Sequence, residues 1–84
     1  MNVYTRKTIN RLLSKLTDFT WRELVTLMNA LDFELRTTGG SGRKFIRPET
    51  GATLFIHEPH PASILKAYQI RAVIQFLHQE GKLP

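Results

Sequence analysis

The chain contains no cysteine. That excludes a disulfide scaffold, a cysteine metal site and a thiol nucleophile, and it fits a reducing compartment. Long apolar runs are missing as well. No stretch approaches the roughly 20 residues that a membrane-spanning helix needs. The opening Met1-Asn2-Val3-Tyr4-Thr5-Arg6-Lys7 has no apolar run behind it to serve as a signal peptide. A cytoplasmic protein with no membrane partner is therefore expected. Acids are scarce: 7 Asp and Glu stand against 12 Lys and Arg, a net charge of +5. Such an excess on a small surface favours a polyanionic partner, the alternative being a basic protein whose charges are simply solvated. There are no internal repeats and no low-complexity linker. With 84 residues the chain has room for one folding unit with a thin core.

Apolar periodicity supplies the elements. Ile9, Leu12, Leu13 and Leu16 recur at helical spacing, which predicts a first short helix over Thr8–Leu16, with Arg6, Lys7, Arg11 and Lys15 off the stripe. Thr17 to Thr20 break it. Thr20 and Glu23 have capping-box spacing and open a second helix carrying Trp21, Leu24, Met28 and Leu31 on one face. Phe33–Thr37 alternates apolar and polar and reads as a strand. A glycine turn, Gly39-Gly40-Ser41-Gly42, leads to a second strand at Arg43–Arg47. Pro48-Glu49-Thr50-Gly51 turns the chain into a third strand, Thr53–His57. Tight turns between short strands make an antiparallel meander. After the stiff Glu58-Pro59-His60-Pro61 loop, a last helix is expected over Lys66–Glu80, with Ile70, Val73, Ile74 and Leu77 inward and Gly81 ending it.

The predicted fold is thus α+β: α-β-β-β-α with an additional N-terminal helix and a three-stranded antiparallel sheet. Two helices on one sheet face would bury Trp21, Leu24, Met28, Leu35, Ile70, Val73 and Leu77. This is the layout of double-stranded-RNA-binding domains, and layout alone does not assign function.

Two constellations could carry chemistry. The first is Gly40-Ser41-Gly42-Arg43-Lys44. Turn amides and the Ser41 hydroxyl can bond phosphate oxygens while Arg43 and Lys44 supply charge; equally, a hairpin turn needs glycines. The spacing is not that of a P-loop. The second is His57-Glu58-Pro59-His60. A neutral imidazole can take a proton from a ribose 2′-hydroxyl and an imidazolium can protonate the leaving 5′-oxygen. That chemistry needs no metal and no cofactor. The bland alternative is one histidine capping the strand and the other exposed. Metal ligation is the weaker reading, since the histidines lack HExxH spacing on a helix. Tyr68 could stack on a base or pack under the loop. His78 is taken as a helix-end residue.

Taken in order, Gly40-Ser41-Gly42-Arg43-Lys44-Phe45, Pro48-Glu49-Thr50-Gly51, Ile56-His57 and Leu65-Lys66 resemble the HicA toxins. The resemblance covers Thr20 to about Lys82. It implies a double-stranded-RNA-binding-like fold and an mRNA interferase, a metal-independent endoribonuclease of a type II toxin–antitoxin system that a HicB antitoxin neutralises. It implies residues 1–19 as an N-terminal helical extension and residues 20–84 as the RNA-binding and nuclease domain. His57 and His60 are the expected catalytic pair. Gly40, Ser41, Gly42, Arg43, Lys44, Arg47, Lys66 and Tyr68 are the expected RNA and phosphate contacts.

The family pattern places a catalytic histidine directly after the Gly-Ser pair, where this chain has Gly42. Three readings follow: cleavage by His57 or His60 with Arg43 and Lys44, cleavage by cationic stabilisation with a weaker base, or RNA binding without cutting. A protein-interaction domain docking an antitoxin-like partner is a further alternative. The Ile9-Leu12-Leu13-Leu16 stripe is expected to pack on its own domain. A helix-turn-helix DNA reader is disfavoured, because the turn lacks glycine and neither helix has a basic exposed face.

Overall fold

The computed structural model describes residues 2–14 and 17–83. Its elements are α1 (Val3–Ser14), α2 (Trp21–Ala30), β1 (Glu34–Thr37), β2 (Gly42–Ile46), β3 (Thr53–His57) and α3 (Ala67–Gln79). The strands form one antiparallel sheet in the order β1-β2-β3, so the expected α+β arrangement is the one observed. Among the described residues no helix is long and apolar enough to cross a membrane.

Helix α1 starts five residues before Thr8, where its apolar periodicity places the start. The reason is a cap: the Thr5 amide donates to Asn2 Oδ1 at 2.8 Å, and Arg6 N–H reaches the Asn2 carbonyl at 3.1 Å. Its buried line is Thr5, Ile9 and Leu12. Leu13, expected inward, is 44% exposed. Lys15 and Leu16 lie outside the described residues. Ile9 and Leu12 join the common core rather than facing solvent.

The capping box of α2 forms as its spacing predicts. The Glu23 amide donates to Thr20 Oγ1 at 3.1 Å, and the Thr20 amide donates back to Glu23 Oε1 at 3.0 Å. Arg11 of α1 ties into the same cap. Its Nε donates to Glu23 Oε2 at 2.7 Å, its NH2 group to the Asp18 carbonyl at 2.6 Å, and its guanidinium lies 5.6 Å from the Phe19 ring centroid. Phe19 is fully buried. Its carbonyl accepts from the Leu65 amide at 2.8 Å, and Trp21 N–H donates to Ser63 at 2.9 Å. The segment that breaks the first two helices is thereby stitched to the entry of α3.

The Arg11 guanidinium holds the Glu23 carboxyl well down, at about 2, with the Thr20 amide and hydroxyl adding to the effect and burial opposing it. A depressed acid adds stability that is complete above its ordinary value of 4.5 and drains away as pH falls toward 2. Because both side chains are about one-third exposed, solvent trims the gain. Glu23→Gln is expected to cost about 0.5–1 kcal/mol at pH 7, and urea midpoints of parent and variant should converge between pH 4.5 and pH 2. A deficit that stays constant over that window would rule out the charge as its source.

In the sheet, Leu35 pairs with Phe45 and Phe45 with Leu54, a row facing the helices. Phe45 is fully buried, its ring 5.7 Å from that of Trp21. The alternating row, Arg36–Lys44–Phe55, faces the other way. Helix α3 supplies Ile70, Val73 and Leu77 to the core, while Ile74 is only half-buried.

Candidate functional site

The glycine turn and the end of β3 meet at one end of the sheet. Gly39 and Gly40 take φ of +97° and +52°, conformations that glycine adopts without strain. Thr38 N–H donates to the Gly42 carbonyl and Gly42 N–H to the Gly39 carbonyl, both at 3.0 Å, closing the turn. The Gly40 and Ser41 amides donate to no backbone carbonyl among the described residues. They remain available to an anion. The Glu58 amide donates to the Ser41 carbonyl at 2.9 Å, which holds the turn against the strand end.

His57 is exposed, and its Nδ1 lies 3.2 Å from Ser41 Oγ. This contact restrains the ring's rotation, and Nε2 has no hydrogen-bond partner among the described residues. From below, the buried Gln69 clamps the residue. Its Nε2 donates to the His57 carbonyl at 2.9 Å, while its Oε1 accepts from the Lys66 amide at 3.0 Å. One amide side chain thus joins the start of α3 to the end of β3. Gln69 does not stand out in the sequence, and Glu58 appears there only within the His57-Glu58-Pro59-His60 run. The signal available was its spacing: Gln69 lies four residues before Val73, on the buried side of α3.

Arg43 departs from the expected role. Its Nε donates to Glu58 Oε1 at 3.1 Å, and its NH1 group donates to the Gly40 and Gly42 carbonyls at 2.9 and 2.8 Å. The guanidinium is spent on bracing the turn. Lys44, next along β2, points to the opposite sheet face, as strand alternation requires. The two cations therefore cannot clamp one phosphate together.

Arg47 is elsewhere too. It lies past the far end of β2, about 13 Å along the chain from Arg43, and its NH1 group reaches Glu80 at 3.4 Å. The remaining expected residues converge. His57, His60, Lys66 and Tyr68 line a cleft of about 140 Å³ with Glu58, Pro59 and Gln69. Tyr68 is 61% exposed, so it does not pack under the loop. A second cleft of about 280 Å³ is lined by Thr38, Gly42, Arg43, Phe55, Ile56 and His57. His57 is the residue the two clefts share. A larger hollow of about 430 Å³, lined by residues such as Asn2, Ala30 and Lys82, contains no histidine and offers no comparable chemistry. Among the described residues no group of three or more His, Asp or Glu is placed to hold a metal ion.

Gly42 sits directly across the β2–β3 ladder from His57. A Cβ added at Gly42 would collide with Thr38 Oγ1 and press on the Gly39 carbonyl at 3.3 Å. The turn as built therefore has no room for a side chain at this position unless Thr38 rotates.

A family model, that of the HicA toxin of bacterial toxin–antitoxin systems, matches residues 21–80. No curated protein and no solved structure gives a significant match. The matched span takes in α2, the whole sheet and all of α3, hence both clefts.

Proposed function

Because the chain belongs to the HicA toxin family of bacterial toxin–antitoxin systems, we propose that it is an mRNA interferase, a metal-independent endoribonuclease held in check by a HicB-type antitoxin. Membership of the family implies an antitoxin partner and an association with RNase activity; the cutting of messenger RNA by this chain is our reading. The observation that carries it is the His57 imidazole held 3.2 Å from Ser41 Oγ, beside two turn amides with no backbone acceptor.

In the tautomer that donates Nδ1–H to Ser41 Oγ, the Nε2 of His57 has its lone pair free for a ribose 2′-hydroxyl proton. The 2′-oxygen then bonds to phosphorus and the bond to the 5′-oxygen breaks. His60, on the rim of the adjoining cleft, protonates that leaving oxygen. The Gly40 and Ser41 amides and the Lys66 ammonium face the charge that grows on the phosphoryl oxygens. Tyr68 supplies a stacking surface beside them. Arg43 contributes by holding the turn in shape.

Incubation of a defined RNA with the purified chain in EDTA tests this. Fragments ending in 2′,3′-cyclic phosphate and 5′-hydroxyl are expected. A salt-sensitive mobility shift with no fragments would select the second reading, a non-cutting RNA binder, which the glycine at position 42 favours.

The ladder also predicts how activity can be raised. Side chains at positions 42 and 57 would have Cβ atoms about 5 Å apart. The double variant Gly42→His/Thr38→Ala, which removes the obstructing hydroxyl, should cut RNA at least about tenfold faster than the parent in single-turnover assays. Gly42→His alone should gain less and melt at a lower temperature. No gain in the double variant would mean that position 42 has no access to the reacting phosphate.

A further inference from the structure

We infer that the open face of the sheet is a platform for single-stranded RNA, on which a base stacks against Phe55 while Arg36 and Lys44 hold phosphates of the same strand. The inference rests on the reading of the chain as an RNA-cutting toxin and names the form of substrate its site accepts.

The strand register places Arg36, Lys44 and Phe55 in one row across all three strands. The helices pack on the opposite face, and Phe55 is 71% exposed. Phe55 adds nothing to the core, which Leu54 and Ile56 on either side of it face, so its ring is free to serve a ligand. Arg36 and Lys44 are direct cross-strand partners, and like charges so placed repel. Arg36 has Glu34 two residues along the same strand, a fully surface pair worth little. Among the described residues Lys44 has no carboxylate partner. A phosphate between the two cations removes the repulsion.

Phe55 and His57 point to the same side, about 6.8 Å apart along β3, and both line the 280 Å³ cleft. A nucleotide stacked on Phe55 therefore delivers its neighbour to the imidazole. Tyr68 lies on the other cleft that His57 shares, so exposed aromatic rings flank the histidine on both sides. A duplex keeps its bases stacked on one another and cannot offer one to Phe55; a single strand can.

The test measures binding of a labelled single-stranded RNA by fluorescence anisotropy in a His57→Ala background, so that the strand stays whole. Phe55→Leu should weaken binding about tenfold, and Phe55→Tyr should restore it. Lys44→Gln should flatten the log–log salt dependence by about 0.7. A duplex of the same sequence should bind more weakly than the single strand. Equal affinity of Phe55→Leu and its parent, with both folded by circular dichroism, overturns the platform. So does a preference for duplex, or loss in Phe55→Leu of HicB-type antitoxin binding with RNA affinity unchanged, which would make the face a protein interface. If the unmodified chain binds the strand through Phe55 but never cuts it, the platform stands and the nuclease reading falls. If Phe55→Leu cuts single-stranded RNA at the parental rate, the nuclease stands and the platform falls.

Discussion

His57→Ala is expected to slow RNA cleavage by at least about a hundredfold, the usual worth of a positioned general base or acid. Of the two candidate histidines, His57 is the one whose orientation the surroundings determine. Ser41 restrains its ring through Nδ1, Gln69 holds its backbone, and Gly42, its cross-strand partner, carries no side chain to cover it. His60 lies on an exposed loop between two prolines, where proline restrains the backbone but no hydrogen bond among the described residues holds the ring. His60→Ala should therefore cost less than His57→Ala. Ser41→Ala should give an intermediate loss, because the imidazole survives but its rotation is no longer set. Single-turnover rates on one RNA, with binding measured separately, distinguish lost chemistry from lost affinity. If His57→Ala cuts like its parent while His60→Ala is dead, the base is in the loop, and the Ser41 contact is merely structural. Gln69→Leu offers an independent check. It leaves the His57 carbonyl and the Lys66 amide without partners, and it should lower both stability and cleavage.

The second large effect is on stability. Phe45→Ala should destabilise the fold by about 3–5 kcal/mol, as removal of a fully buried aromatic ring generally does. Phe45 lies in the middle strand, its ring against Trp21, with Leu35 and Leu54 as cross-strand neighbours. For a chain of this size the whole stability is about 4–13 kcal/mol, so the variant should be close to half unfolded or fall by tens of degrees in melting temperature. Urea unfolding followed by circular dichroism reads it. Phe55→Ala, with the same atoms removed from an exposed site, should change stability by less than about 1 kcal/mol. Comparable losses from the two variants would contradict the facing of the sheet.

Much of the frame is legible in residue order. Thr20 with Glu23 announces the start of α2, because a hydroxyl and a carboxylate three residues apart can satisfy each other's amides locally. The strands are legible as alternation, and the turns between them as glycine and proline. The start of α1 was missed, since Asn2 caps it from outside the apolar stripe and capping by one side chain leaves little trace in periodicity. The burial of Phe19 is illegible for a different reason: the segment that holds it in place lies more than forty residues away in sequence, the Leu65 amide bonding the Phe19 carbonyl and the Trp21 amide the Ser63 carbonyl.

The glycine turn with its cations, and the histidines at and just past the end of β3, are evident in the sequence alone. So is the family resemblance, which the family match now establishes over residues 21–80. Which neighbours those residues have was not evident. Arg43 and Lys44 are adjacent in sequence and read as one clamp. Strand geometry sends them to opposite faces, one spent on Glu58 and the turn carbonyls, the other left on an open surface with Arg36 and Phe55. Arg47, only four residues on, is carried to the other end of the molecule and paired with Glu80. The sequence by itself determined the elements, their order and the kinds of side chain available, because caps, turns and apolar periods are local. Only the tertiary structure decided which of those side chains share a site, because strand register and helix packing set contacts between residues that local spacing cannot bring together.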